Sequence, residues 1–314
     1  MIRRLSVAAV AVVLTGTVAS GCSTFTNNRE AAKAGGASLS VDEFELILAD
    51  YSESQAARAA GSSTSIGDTT TTDPTVVAGT SARGLLTEWV TSHILLGELD
   101  KVGATIDDAT RSDALLSLQN DVPNFAELDA ITQKFLIEDQ ASRVLAANHS
   151  LLTDAQAQAV YESGAAESNV VCLRVISFTD EAKANGVYAE LQGGADFAAL
   201  ADANSSDASS GTGGVLILSD GSECTGATQF TETISEALSD LAIGQASPPV
   251  AFTGSDGSTG YVILMQRPWS EVATTAGPAI QDGAKTAALT AATVHVDSRY
   301  GTWDPTTMSV VATR

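Results

Sequence analysis

Over the first half of the chain, apolar residues recur at the three-and-four spacing of amphipathic helices. In SLSVDEFELILADY, Phe44, Ile47, Leu48 and Tyr51 share one helical face, and Ser40 and Glu43 stand at capping-box spacing. In ARGLLTEWVTSHILLGELDKVG, Leu85, Trp89, Leu96 and Leu99 mark the apolar side, His93 lies beside it, and Gly103 is a C-terminal stop. TIDDATRSDALLSLQND predicts a further helix. PNFAELDAITQKFLIEDQASRVLAAN predicts another, with Phe125, Leu128, Thr132, Phe135 and Leu136 at helical spacing. TDAQAQAVYES opens with Thr153 and Gln156, again at capping-box spacing. The period then changes. VVCLRVISF reads as a strand, TDEAKANGVYAELQ as a helix closed by Gly193 and Gly194, and DFAALADAN as a short helix. ISEALSDL is a later helix, and SPPVAF and GYVILMQ are two strands joined by TGSDGST. Beyond RPW, PAIQDGAKTAALTAA predicts an alanine-rich helix and VHVDSRYGTWDP a final strand.

The helical pattern thus flanks an α+β segment of about a hundred residues, an ordinary single-domain size. The expected fold class is α+β. A helical domain spans 38–167, a small antiparallel sheet with flanking helices spans 168–269, and a C-terminal helix and strand, 270–314, pack back on the helical domain. Two stretches lack periodicity. Residues 22–37, including STFTNNREAAKAGGA, read as a polar tether. Residues 61–81, rich in Thr, Ser and Gly, read as a flexible insertion.

The N-terminus has the organisation of an export signal over residues 1–21: Arg3 and Arg4, an apolar run, then small residues. Ala19, Ser20 and Gly21 precede Cys22 as in a bacterial lipobox, although Ala19 stands where Leu is commonest. Two readings are open, an acylated Cys22 or an ordinary secretory signal with a chance cysteine. The net charge of −22 removes nucleic acid from the candidate partners, because phosphate binding needs Lys and Arg. It also disfavours electrostatic adhesion to an anionic membrane, so membrane attachment falls to acyl chains on Cys22. With Cys22 acylated, Cys172 and Cys224 remain as a pair in an exported chain; they form either a disulfide or two separate buried thiols. His93, His149 and His295 are too scattered for a metal site.

Ser38 to Arg267 resembles the extracytoplasmic chaperones of the SurA and PrsA type, which join a helical peptide-binding domain to parvulin peptidyl-prolyl isomerase domains. The helical segments and LLTDAQAQAVYES carry the first part of the resemblance. DEAKANGVYAELQGGADFAALADANSSDASSGTGG, then LSDLAIGQASPPV and GYVILMQ, carry the second and more specific part. The tail VHVDSRYGTWDP is similar to the ending of actinobacterial SurA-like lipoproteins. The resemblance implies a lipid-anchored cell-envelope chaperone, with unfolded or nascent exported polypeptides as partners and no cofactor.

Carried over residue by residue, the resemblance assigns a degenerate site. The first-strand histidine of parvulins falls on Val175 and the closing-strand histidine on Val262. The family's loop cysteine or aspartate falls on Asp207, and the proline-pocket residues on Phe230 and Ile234. Two valines supply none of the donors and acceptors of two histidines. Asp207 is then expected to be an isolated, solvated acid, as consistent with a solubilising loop residue as with a site role. Weak or lost isomerase activity follows, because members of a polar network act as a unit. The alternatives are an active peptidyl-prolyl isomerase and a structural envelope lipoprotein.

Overall fold

The computed structural model describes residues 30–53, 79–122, 124–239, 241–254 and 257–313. The signal segment, Cys22 and most of the 61–81 insertion lie outside the described residues.

The chain enters through a hairpin, β1 (Glu30–Ala34) and β2 (Ala37–Ser40). Residues 30–37, expected from the sequence as part of a 22–37 tether, lie in this hairpin instead, and the rest of that stretch is outside the described residues. Ala31, Ala32 and Ala34 are fully buried, and their small side chains let the strand lie close against its neighbours. The turn is Gly35-Gly36, both at positive φ (57° and 85°), as a two-residue hairpin of primed type requires. Gly35 sits so close to the His93 carbonyl that a Cβ would overlap it. Helix α1 (Val41–Glu53) follows, and Ser40 and Glu43 form the capping box that their spacing predicts.

Helices α2 (Gly79–Lys101), α3 (Asp108–Asp121) and α4 (Ala130–Asn148) complete the first layer. Helix α2 takes in residues 79–81, so the insertion is shorter than its composition implies; Ser81 and Ala82 are buried in the helix interface. A short 3-10 turn at Phe125–Glu127 precedes α4, splitting what the apolar spacing predicts as one helix. The core joins Phe44, Leu86, Trp89, Val90 and Phe125 to Leu289 and Val310 from the far end of the chain.

Helices α5 (Asp154–Glu162) and α6 (Ala165–Ser168) lead into β3 (Leu173–Phe178). Helices α7 (Glu181–Gln192), α8 (Phe197–Asn204) and α9 (Glu232–Ser239) and strands β4 (Val250–Thr253) and β5 (Thr259–Gln266) follow. The sheet is antiparallel, in the order β3-β5-β4. Alternation along the strands gives each face its own core. Ile176, Phe178 and Ile263 pack with Val187 of α7 and Phe197 of α8, while Val175, Val262 and Leu264 face Leu238 of α9.

One long helix, α10 (Trp269–Ala291), starts well before Pro278, which is internal to it rather than its first residue. Near its start, Val272, Ala276 and Ile280 pack with Tyr161 and Cys172; near its end, Leu289 enters the core of the helical part. The tail is three strands rather than one. β6 (His295–Val296) pairs with β1, and β7 (Thr302–Asp304) pairs with β8 (Ser309–Val311).

Candidate functional site

The register of β3 against β5 pairs Val175 with Leu264 and Ser177 with Val262. Val175 and Val262 are therefore diagonal neighbours on one face, both buried. On the other side of β5, Val250 pairs with Val262 and Phe252 with Gly260. A Cβ at Gly260 would lie 2.6 Å from the Phe252 ring, so the missing side chain lets that ring lie over the sheet.

The double glycine sets the opposite side. Gly214, at φ +81°, accepts a 2.7 Å hydrogen bond from the Val175 N–H. A Cβ there would lie 2.8 Å from the Val175 carbonyl oxygen and 2.9 Å from the Ala201 Cβ. Only glycine brings the loop this close to β3. The Asp202 carboxylate holds the turn by accepting from the N–H groups of Gly211 (2.9 Å) and Gly213 (2.8 Å). Further on, Leu216 donates to the Leu173 carbonyl, Val171 and Thr225 exchange a pair of backbone hydrogen bonds, and Cys172 is disulfide-bonded to Cys224. These ties fix the segment that leads to Phe230 and to Ile234 on α9.

The result is an open groove of about 630 Å³. The structure brings all five residues singled out in the sequence, Val175, Asp207, Phe230, Ile234 and Val262, to this one groove. Leu173, Leu216, Leu264 and Phe252 extend its apolar surface, and Ser177 joins Asp207 on the polar side.

Asp207 is not the isolated, solvated acid expected from the sequence. It is exposed as a residue, but Ser177 Oγ donates to its Oδ2 (2.7 Å). Ser205 Oγ (2.8 Å), Ser209 Oγ and the Ser209 N–H (3.0 Å) all donate to its Oδ1. The donors come from the loop itself and from the next outward position on β3, so the network needs neither histidine position. Burial by itself would raise the Asp207 carboxyl; the hydrogen bonds from Ser177, Ser209 and Ser205 outweigh it and hold the group below the usual range. Sequence reasoning missed Ser177, Ser205, Ser209 and Phe252. The serines on both sides of Asp207 in NSSDASSG were the available signal.

Residues 179–267 match the family model described as the PPIC-type PPIASE domain, Rotamase. The match covers the groove apart from its first-strand residues, Leu173, Val175 and Ser177. No curated protein matches the chain. Among solved structures, PrsA from Bacillus subtilis is 21% identical, with 66% of this chain and 79% of that chain covered and a TM-score of 0.28. The foldase PrsA from Streptococcus pneumoniae is 18% identical, with 65% and 78% covered and a TM-score of 0.27. A SurA-like chaperone from Campylobacter jejuni is 11% identical, with 85% and 98% covered and a TM-score of 0.21. At these TM-scores none of the three bears on function.

His93 lies away from the groove. It stacks on Trp89 at 4.1 Å and lines a separate cavity of about 180 Å³ with Ile131 and Phe135. Burial lowers its proton affinity. Among the described residues no group of three or more His, Cys, Asp or Glu is placed to hold a metal ion, and no helix is long and apolar enough to cross a membrane.

Proposed function

We propose that this protein is a lipid-anchored extracytoplasmic chaperone whose parvulin-like groove holds extended apolar or proline-containing segments of unfolded exported polypeptides. Its isomerase activity is weak or lost. One observation carries this reading: the two positions that the resemblance gives to histidines are buried valines on the groove floor.

Rotation about an X-Pro bond faces a barrier of roughly 18–20 kcal/mol. Lowering it requires an apolar seat for the ring and polar groups that favour the twisted amide over the planar one. The groove keeps the seat in Val175, Val262, Leu264, Phe230 and Ile234. Its ionised carboxylate can accept a hydrogen bond but has no proton to give, and the imidazole donors are gone. Binding is thus retained and stabilisation of the twisted state largely removed. The Ser177–Asp207 hydrogen bond favours a second reading, a slow but working isomerase in which a hydroxyl replaces an imidazole.

Acyl chains on Cys22 supply the anchor in this reading. The test is suppression of aggregation of several unfolded clients by the mature chain. Suppression at near-stoichiometric amounts is expected; failure with every client contradicts the chaperone reading and leaves a structural envelope lipoprotein.

A further inference from the structure

The groove has an apolar floor bordered by neutral hydroxyl and amide side chains such as Ser177, Thr231 and Gln229, and of the described residues that line it Asp207 alone is charged. Its situation differs from that of the acids nearby. Glu271 pairs with Arg174 at 2.9 Å, and Glu223 pairs with Arg267 at 2.6 Å. Asp207 has no Lys, Arg or His partner among the described residues; every donor to it is a neutral hydroxyl or a backbone N–H. Neutral donors orient a carboxylate without cancelling its charge. Three of the four donors converge on Oδ1 and only Ser177 Oγ reaches Oδ2, so Oδ2 keeps acceptor capacity. The net charge of −22 adds a longer-range attraction for cations and repels acidic segments.

We infer that the groove selects segments in which a Lys or Arg stands beside the apolar or proline residue seated on Val175 and Val262, with Asp207 as the counter-ion. This rests on the groove being a peptide site. Asp207 then determines specificity rather than catalysing. Lys and Arg suit the geometry because their methylene stems can lie on apolar surface such as Phe230 while the head reaches the polar rim.

Three dansyl-labelled octapeptides with one shared apolar-proline core test it, carrying Lys, norleucine or Glu before the proline. Anisotropy titration of the full mature chain gives the three affinities at low and high salt. At low salt the Lys peptide is expected to bind about fivefold tighter than the norleucine peptide, and the Glu peptide weakest. At about 0.5 M salt the Lys-to-norleucine ratio should approach one, because screening shortens the reach of an exposed charge. In Asp207→Asn the low-salt ratio should fall to less than half its value in the unaltered chain, leaving only the diffuse attraction of the net charge, whatever the absolute affinities. The salt titration of the unaltered chain stands even if that variant folds poorly. Equal binding of the three peptides, or a Lys preference undiminished in Asp207→Asn, overturns the inference and leaves the peptide groove standing. Binding of none of them overturns both.

Discussion

The floor and the rim of the groove lie side by side and differ in what holds them. The floor, Val175 and Val262 with Leu173 and Leu264, is held by apolar packing against α9 and has no polar chemistry of its own. The rim, from Ser205 to Gly214, is held by hydrogen bonds within its own loop, to β3 and to the Asp202 carboxylate of α8. The difference means that side chains on the floor can change without altering the shape of the rim. The rim draws on Val175 through its backbone alone and on Val262 not at all, so the side chains at these two positions do not shape it.

The largest effect is expected where the segment leading to Phe230 is stapled beside β3. Replacing Cys172 and Cys224 together by Ala opens a link across 52 residues, and a loss of about 3 kcal/mol is expected from denaturant unfolding. No loss would mean that backbone pairing alone holds the segment leading to Phe230.

Next comes the glycine seam. Gly214→Ala puts a methyl against the Val175 carbonyl and the Ala201 Cβ, and should lower stability by about 2 kcal/mol. Gly211→Ala, at a similar φ but with open space around it, should lower it by about 1 kcal/mol, the strain of a left-handed residue alone. Equal effects in thermal melts would show that the rim is not pressed on β3.

Phe252→Ala sharpens the comparison on the floor side. Its ring is partly exposed over Gly260, so stability should change little while peptide affinity falls about fivefold, as lost apolar contact implies.

The smallest effect belongs to Asp207→Asn, under about 1 kcal/mol at neutral pH because the residue is exposed. The sign follows from a folded-state pKa held below the unfolded value. The contribution is fully present above about pH 5. It is lost as pH falls below the ordinary value of 3.8 and through the lower folded value. Parallel melts of the two proteins should therefore differ at pH 7 and converge in acid.

Much of the groove was legible because its markers are local. The strand VVCLRVISF, the double glycine Gly213-Gly214 and the strand GYVILMQ lie within one contiguous segment, and each has a strong pattern of its own. The serine donors were harder to read, since a serine in a polar loop looks the same whether it faces water or a carboxylate. Phe252 read only as a strand residue; its place depends on Gly260 across the sheet. β1 was hidden altogether. In EAAKA the apolar positions are all alanine and do not alternate with the polar ones, and its partner β6 lies near the other end of the chain. Pro278 misled in the other direction, because a proline commonly opens a helix and here stands within one.

In the proposed function the groove binds proline-containing segments without turning them over efficiently. The direct test is a protease-coupled isomerisation assay on a proline tetrapeptide, with the mature chain at concentrations that saturate binding of a labelled peptide of the same sequence. Saturable binding is expected, with an isomerisation rate at, or barely above, the spontaneous one. A rate clearly above it, lost in Asp207→Asn, would contradict the account and make the Ser177–Asp207 pair a working replacement for the missing histidines.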